Sequence, residues 1–174
     1  MSEPVRLTVA LDDTTHAVSG ATFEEFFERE KDALFGALCL VTRNRFEAEE
    51  LTQDAFVRVL ERWDRVRAMD DPHGYLYRTA MNAFRSRYRR SLLAAKRTIG
   101  IARADDAMAA VDERDAAVRA LAILSPRQRA AVVLMDLLGF SSDEAARMLG
   151  IRASTVRMHA SRAHAALKGT IDHD

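Results

Sequence analysis

The sequence predicts an all-α protein: two small helical domains joined by a linker, the C-terminal one a helix-turn-helix. Three observations predict it. The 174 residues favour Ala, Leu, Arg and Glu, hold only three Pro and seven Gly, and show no window of sustained Val/Ile/Thr alternation, so helices have support and strands have no pattern. Helix-start signatures recur at Thr22…Glu25, Asp71-Pro72, Ser125-Pro126…Gln128 and Ser141…Glu144, each supplying an oxygen for the unpaired N–H groups of a first turn. Gly139 and Gly150 then stop two successive short helices, which gives the helix, Gly-containing turn, helix spacing of a DNA-binding motif.

Residues 1–21 mix Ser, Thr, Gly, Asp and a few aliphatics and read as a mobile tail. Thr22 caps the first helix, in which Phe23, Phe26, Phe27, Leu34, Leu38 and Val41 recur near helical spacing as a core stripe. Thr42 to Arg45 breaks that pattern, and Phe46 opens the next segment. From Glu47 to Val66 one amphipathic helix is expected to bury Leu51, Ala55, Val59 and Trp63. Its other side gathers Glu50, Gln53, Asp54 and Arg58 at i, i+3, i+4 and i+8, a mainly acidic strip that is a solvated face on its own spacing.

Asp71 and Pro72 start a third helix with Leu76, Ala80 and Ala83 as its core stripe. Tyr75, Tyr77, Phe84 and Tyr88 interleave with Arg78, Arg85, Arg87, Arg89 and Arg90 on the remaining faces. Aromatic faces for bases and guanidinium groups for phosphates suit unpaired nucleic acid, and a basic surface helix has the same composition. Residues 92–111 lose the aromatics and any strong stripe and read as the linker, leaving 22–91 as one domain and 112–170 as the other. Asp112 to Leu124 begins the second domain by burying Val118, Leu121 and Ala122.

A buried helix follows Ser125, apolar from Ala130 to Leu138 except for Asp136, and Phe140 can seal its corner after Gly139. Ala145, Ala146, Met148 and Leu149 give the next helix a small-residue face. Ser154 is expected to cap the last helix, with Val156, Ala160, Ala163 and Leu167 inward. Ser154, Arg157, Met158 and Ser161 then point outward, flanked by His159 and Arg162, with Arg152 in the turn.

Formal net charge is zero, but the distribution is uneven. Residues 21–69 carry 11 acids and 8 bases, a net of −3, whereas residues 73–97 carry seven bases and no acid, so a basic patch sits beside an acidic neighbour. The single Cys39 reads as a buried thiol in a reducing compartment. The N-terminus lacks a secretory signal, and no apolar run approaches the roughly 20 residues that span a membrane, so a cytoplasmic location without membrane insertion is expected. No metal, phosphate-loop or nucleophile motif appears, so neither a catalytic residue nor a cofactor is assigned, and the chain is expected not to be an enzyme.

Four stretches together resemble one family: Ala48-Glu49-Glu50-Leu51-Thr52-Gln53-Asp54-Ala55-Phe56, Tyr75-Leu76-Tyr77-Arg78-Thr79-Ala80-Met81-Asn82, Leu124-Ser125-Pro126-Arg127-Gln128-Arg129 and Ser154-Thr155-Val156-Arg157. In this order they look like the extracytoplasmic-function sigma factors of the sigma-70 family, over about residues 21–168. The resemblance implies a function: binding core RNA polymerase and directing promoter-specific transcription initiation. It implies that Glu50, Gln53, Asp54 and Arg58 dock on the β′ clamp helices, with the β flap as a further polymerase contact. Tyr75, Arg78, Asn82, Arg85 and Arg89 would engage the minus-10 element, and the loop from Val66 to Asp71 would help capture a flipped base. Arg152, Ser154, Thr155, Arg157, Met158, His159, Ser161 and Arg162 would read the minus-35 duplex. Promoter DNA and an anti-sigma factor are the other implied partners.

Some positions depart from the family pattern. Tyr75 stands where Trp is common, Ala160 where a larger aliphatic is usual, and Met158 and His159 where other residues are frequent, so promoter sequence is not implied. The rival reading is a helix-turn-helix regulator that binds DNA alone; it would leave the acidic strip without a use.

Overall fold

A computed structural model of the chain describes residues 21–97 and 116–171. Among these residues the regular structure is entirely helical: α1 (Phe23–Thr42), α2 (Arg45–Leu60), α3 (Trp63–Val66), α4 (Pro72–Arg97), α5 (Ala116–Ala122), α6 (Pro126–Val132), α7 (Ser142–Leu149) and α8 (Ala153–Ile171), with a π turn over Val133–Leu137 after α6. Residues 1–20 and the linker from 98 onward lie outside the described residues.

Local chemistry sets the boundaries. Thr22 Oγ1 accepts from the Glu25 N–H at 3.2 Å while the Thr22 N–H donates to Glu25 Oε2 at 2.9 Å, the reciprocal box expected at the start of α1. Arg43 ends α1 in the left-handed region (φ 56°) and donates its N–H to the Cys39 carbonyl at 2.9 Å. Asn44 then caps α2 through its side-chain oxygen, which accepts from the Glu47 N–H at 3.1 Å. Asp71 caps α4 by accepting from the Gly74 N–H at 2.7 Å. A Cβ on residue 74 would stand 1.9 Å from Asp71 Oδ2, so a larger residue there would push the capping carboxylate aside.

The expected helix from Glu47 to Val66 is two helices. The chain leaves α2 after Leu60 and re-enters at Trp63. Leu51, Ala55 and Val59 are buried as expected, but Trp63 is half-buried. The break swings the indole onto α1: its ring centre lies 5.2 Å from Phe26 and 5.7 Å from Phe23, with Phe27 and Phe56 packed 4.8 Å apart beside them. Aromatic pairs of this kind are worth about 0.5–1.5 kcal/mol beyond their burial, which outweighs helical continuity across a polar Glu61-Arg62 step. Helix α4 continues through Arg97, six residues into the stretch read as linker.

In the second unit Ser125 and Gln128 cap each other, at 2.8 Å and 3.3 Å. The helix read through to Leu138 widens into the π turn, and Gly139 (φ 72°) lets the Phe140 N–H return to the Leu134 carbonyl at 2.9 Å. Ser141 and Glu144 form the third reciprocal box, and Gly150 (φ 63°) ends α7.

The two units share one continuous core: Leu34, Leu38, Val41, Leu76, Tyr77 and Met81 from the first merge with Ala130, Leu134, Ala145 and Met148 from the second. Helix α7 lies on α4, and α6 lies against the end of α1. Arg129 is buried across this junction, its Nε donating to the Val41 carbonyl at 3.0 Å and its Nη1 to the Leu124 carbonyl at 2.7 Å. Phe140 does not only seal its own corner; its ring centre lies 5.7 Å from His73 and 5.6 Å from Tyr77 on α4.

Beside that contact Glu30 is buried and accepts from Arg29 Nε at 3.0 Å, with its other oxygen 2.8 Å from His73 Nδ1. Burial alone would raise this carboxyl, but the His73 and Arg29 contacts outweigh it and hold it below the ordinary range. A carboxyl that ionises more readily folded than unfolded contributes its full stabilisation above the unfolded-state value of about 4.3 and loses it as pH falls through the lower folded value. Glu30→Gln therefore lowers unfolding free energy by about 1–3 kcal/mol at neutral pH. The difference from the parent shrinks on acidification, and urea unfolding at neutral and acid pH checks both points.

Candidate nucleic-acid interface

The helix-turn-helix is built on α7 and α8. Ser141 fixes where α7 starts, and its hydroxyl and backbone contacts hold the Glu144 carboxyl below its usual range. Gly150 turns the chain, and α8 begins at Ala153 rather than after Ser154: the Arg152 carbonyl accepts from the N–H groups of Thr155 and Val156 at 2.9 and 3.0 Å. Ser154 is therefore inside the first turn instead of capping it, because the turn after Gly150 closes two residues earlier than the Ser signal implied. Val156, Ala160 and Ala163 are buried and Leu167 is half-buried, as the stripe required.

The opposite face is open. Arg152, Ser154, Arg157, Met158, Ser161 and Arg162 are exposed, while Thr155 and His159 are half-buried. Arg157 Nη1 donates to Ser142 Oγ at 2.9 Å, which ties the reading helix to the first turn of α7. Burial first, then the positive charges of Arg127 and Arg162, hold the His159 imidazole below its ordinary pKa, which favours the neutral hydrogen-bonding ring over the cation at neutral pH. Arg127, not singled out from the sequence, belongs to this electropositive face. Its only signal was its place in the first turn after Ser125-Pro126.

On α4 the structure separates the aromatic set. Arg78 and Arg89 are exposed, and Asn82 and Tyr75 are half-buried, with Tyr75 Oη accepting from Arg62 Nη1 at 3.5 Å. Tyr77 and Phe84 are buried, which corrects the reading that placed them on solvated faces beside the arginines. Residues 77, 81 and 84 form a second inward stripe, because the second unit covers a face of α4 that one domain alone would leave open. The Tyr77 hydroxyl is buried without a hydrogen-bond partner among the described residues, and burial, with the Glu30 charge nearby, pushes its pKa well above the ordinary range. Arg85 is half-buried against the second unit: a Cβ on Gly150 would stand 1.4 Å from its Nη1.

The strip on α2 is where the spacing put it. Glu50, Gln53 and Arg58 are exposed and Asp54 is half-buried. Glu50 and Asp54 are bridged by Arg87 of α4, whose Nη1 pairs with Glu50 and whose Nη2 lies 3.3 Å from Asp54. Phe46, Val57 and Leu60 are 75%, 54% and 52% exposed. With Glu50 and Gln53 they run 46, 50, 53, 57, 60, alternating steps of four and three, the seam one helix offers another. Sequence reasoning missed these three because the inward stripe at steps of four accounted for the helix by itself.

A helical protein with an exposed helix-turn-helix face, a basic α4 and an apolar-acidic seam on α2 is a DNA-binding transcription protein of two units. The family description sigma-70 region 2 matches residues 26–92, and sigma-70 region 4 matches residues 114–167. The chain is 32% identical over 146 residues to the ECF RNA polymerase sigma factor SigM of Mycobacterium tuberculosis, covering 83% of this chain and 74% of that one. It is 30% identical over 152 residues to an RNA polymerase sigma-E factor of Streptomyces avermitilis, covering 86% and 85%. Among solved structures, CnrH in complex with the cytosolic domain of CnrY is 25% identical at a TM-score of 0.59, covering 91% of this chain and 94% of that one. The sigma factor RpoE of Bartonella quintana, solved with the anti-sigma factor NepR, shares the fold at a TM-score of 0.67 and 24% identity, covering 87% and 98%.

The chain belongs to the extracytoplasmic-function sigma factors of the sigma-70 family. Its function is promoter-directed transcription initiation by RNA polymerase, and the stand-alone regulator is not favoured. Among the described residues no helix is long and apolar enough to cross a membrane.

Gly150→Ala puts a side chain on a left-handed residue and should lower stability by about 1–2 kcal/mol. The loss persists in an Arg85→Ala background, since the strain lies in the backbone rather than in the Arg85 contact. Thermal melts of the two Gly150 variants beside their parents test this.

Proposed function

We propose that the chain docks on core RNA polymerase through α2, with Phe46, Val57 and Leu60 seating a helix of the polymerase and Glu50, Gln53, Asp54 and Arg58 fixing its register and charge. The 4-3 seam carries this reading: large apolar side chains on a helix face tolerate water poorly and fit a helical partner. The β′ clamp helices are that partner, and the β flap is a second polymerase contact. On this reading residues 22–91 form the region 2 domain, 92–111 the linker and 112–170 the region 4 domain, with 1–21 a tail.

In the same reading Arg78, Asn82, Arg89, Tyr75 and Arg85 meet the minus-10 element, Arg78 and Arg89 from exposed positions and the other three from half-buried ones. Arg152, Ser154, Thr155, Arg157, Met158, His159, Ser161 and Arg162 meet the minus-35 duplex, with Arg157, oriented by Ser142, as the bidentate reader. The loop between Val66 and Asp71 leads directly into α4 and receives a flipped base. Binding to duplex and polymerase offsets the few kcal/mol needed to unstack promoter bases. The factor contributes specificity and melting with no cofactor and no catalytic residue of its own, and works with polymerase in the cytoplasm. An anti-sigma protein is a further partner, supported by the likeness to CnrH, which was solved with the cytosolic domain of CnrY.

Two substitutions separate the surfaces. Val57→Glu with Leu60→Glu should weaken capture of core polymerase at least tenfold, about 1.4 kcal/mol or more, while leaving duplex binding by the free chain unchanged. Arg157→Ala should cost about 1–3 kcal/mol of minus-35 discrimination with polymerase capture intact. Loss of both activities in either variant would overturn the division of labour.

A further inference from the structure

We infer that Met158 is a specificity-determining residue of the minus-35 contact, seated on the 5-methyl group of a thymine beside the base that Arg157 reads. The inference rests on the assignment of α8 to the minus-35 duplex and names the base chemistry that the centre of that helix selects.

Helix α8 runs from Ala153 to Ile171, and its inward stripe is Val156, Ala160 and Ala163, all buried, with Leu167 half-buried. At 3.6 residues per turn the line opposite that stripe carries Ser154, Met158, Ser161 and Ala165, and all four are exposed. Three of them are small. Met158 alone is long, and at 39% exposure it is the one large apolar side chain of α8 open to solvent among the described residues. Arg157 and Arg162 flank this line on its two sides, both exposed, and Arg157 is held in place by the Ser142 hydroxyl at 2.9 Å.

That distribution fits the floor of a major groove. Small residues at 154, 161 and 165 let the helix backbone approach the base edges, while the flanking guanidinium groups reach phosphates or a guanine edge. A Ser hydroxyl both donates and accepts, so Ser154 and Ser161 suit either kind of base edge and discriminate little. Met158 offers no donor and only a weak acceptor. Against an amino group or a bare acceptor it would strip water without replacing the hydrogen bond. Against a thymine methyl it buries apolar surface on both partners. The thioether chain is unbranched and polarizable, so it settles on a methyl from a range of approach angles. Neighbouring Cα atoms are about 3.8 Å apart, close to the roughly 3.4 Å rise of a base pair, which places the thymine within about two base pairs of the Arg157 contact. The centre of α8 thus selects by apolar contact and Arg157 by hydrogen bonding.

The test uses holoenzyme assembled from the full chain and core RNA polymerase. Minus-35 sequences are recovered from a randomised promoter library by retention on that holoenzyme, and each thymine of the recovered element is then replaced in turn by deoxyuridine. The replacement deletes the 5-methyl group and leaves every hydrogen-bonding atom in place. At one position it should weaken binding by the parent about fourfold, the effect of one methyl removed from apolar contact. With Met158→Ala, at unchanged helical circular dichroism, the same deoxyuridine should cost nothing further, while the base preference that Arg157→Ala abolishes is retained. Equal affinity of the parent for every deoxyuridine duplex would overturn the inference. So would a recovered element without thymine, or a deoxyuridine penalty that survives in Met158→Ala. If one of these results comes with Arg157→Ala still changing the recovered sequences, the α8 assignment stands and the Met158 contact is refuted. Recovered sequences that neither substitution changes refute the α8 assignment itself.

Discussion

Helix α4 is packed on two sides at once, and most of the molecule follows from that. Leu76, Ala80 and Ala83 face α1 and α2, while Tyr77 and the Phe140 contact tie it to the second unit. A helix with two inward stripes has little surface left to give to solvent. Over its packed length α4 leaves Arg78, Arg89 and Arg90 exposed and Tyr75, Asn82, Arg85 and Arg87 partly open. The helix is thus both a structural centre and the element we assign to the minus-10 contacts, and the same burial that stabilises it hides part of its aromatic set.

The acidic strip of α2 is bound up with this arrangement. Arg87 leaves α4 to bridge Glu50 and Asp54, so the helix assigned to DNA and the helix assigned to polymerase are held in register by an ion pair. Exposed pairs of this kind contribute little to stability, with a median of about 0–1 kcal/mol. Their value here is geometric. Phe46, Val57 and Leu60 stay exposed beside the bridge, while buried Leu51, Ala55 and Val59 seat the opposite side of α2.

Capping chemistry gave away the helix starts because it is local: a Thr, Ser or Asp oxygen finds an N–H two or three residues on regardless of what packs elsewhere. Thr22, Asp71, Ser125 and Ser141 all act as their sequence context indicates. Ser154 did not, since Gly150 and the Arg152 carbonyl closed the turn first. The break after Leu60 was not legible either. Its cause is the gain of bringing Trp63 onto Phe23 and Phe26, residues almost forty positions upstream, and no window of sequence holds both partners. The π turn after Val132 hides for a related reason, because an apolar run has the same composition at either winding.

By itself, then, the sequence determined the all-helical class, the N-caps at Thr22, Asp71, Ser125 and Ser141, the outward set on α8 and the strip on α2. These depend on periodicity and on contacts within one turn, which neighbours along the chain fix. Tertiary structure alone decided that the two units share a core, that Arg129 and Phe140 cross between them, that Tyr77 and Phe84 are inside, and that Phe46, Val57 and Leu60 remain outside. Whether an apolar side chain is buried depends on which surface arrives opposite it, and here that surface belongs to a segment fifty or more residues away.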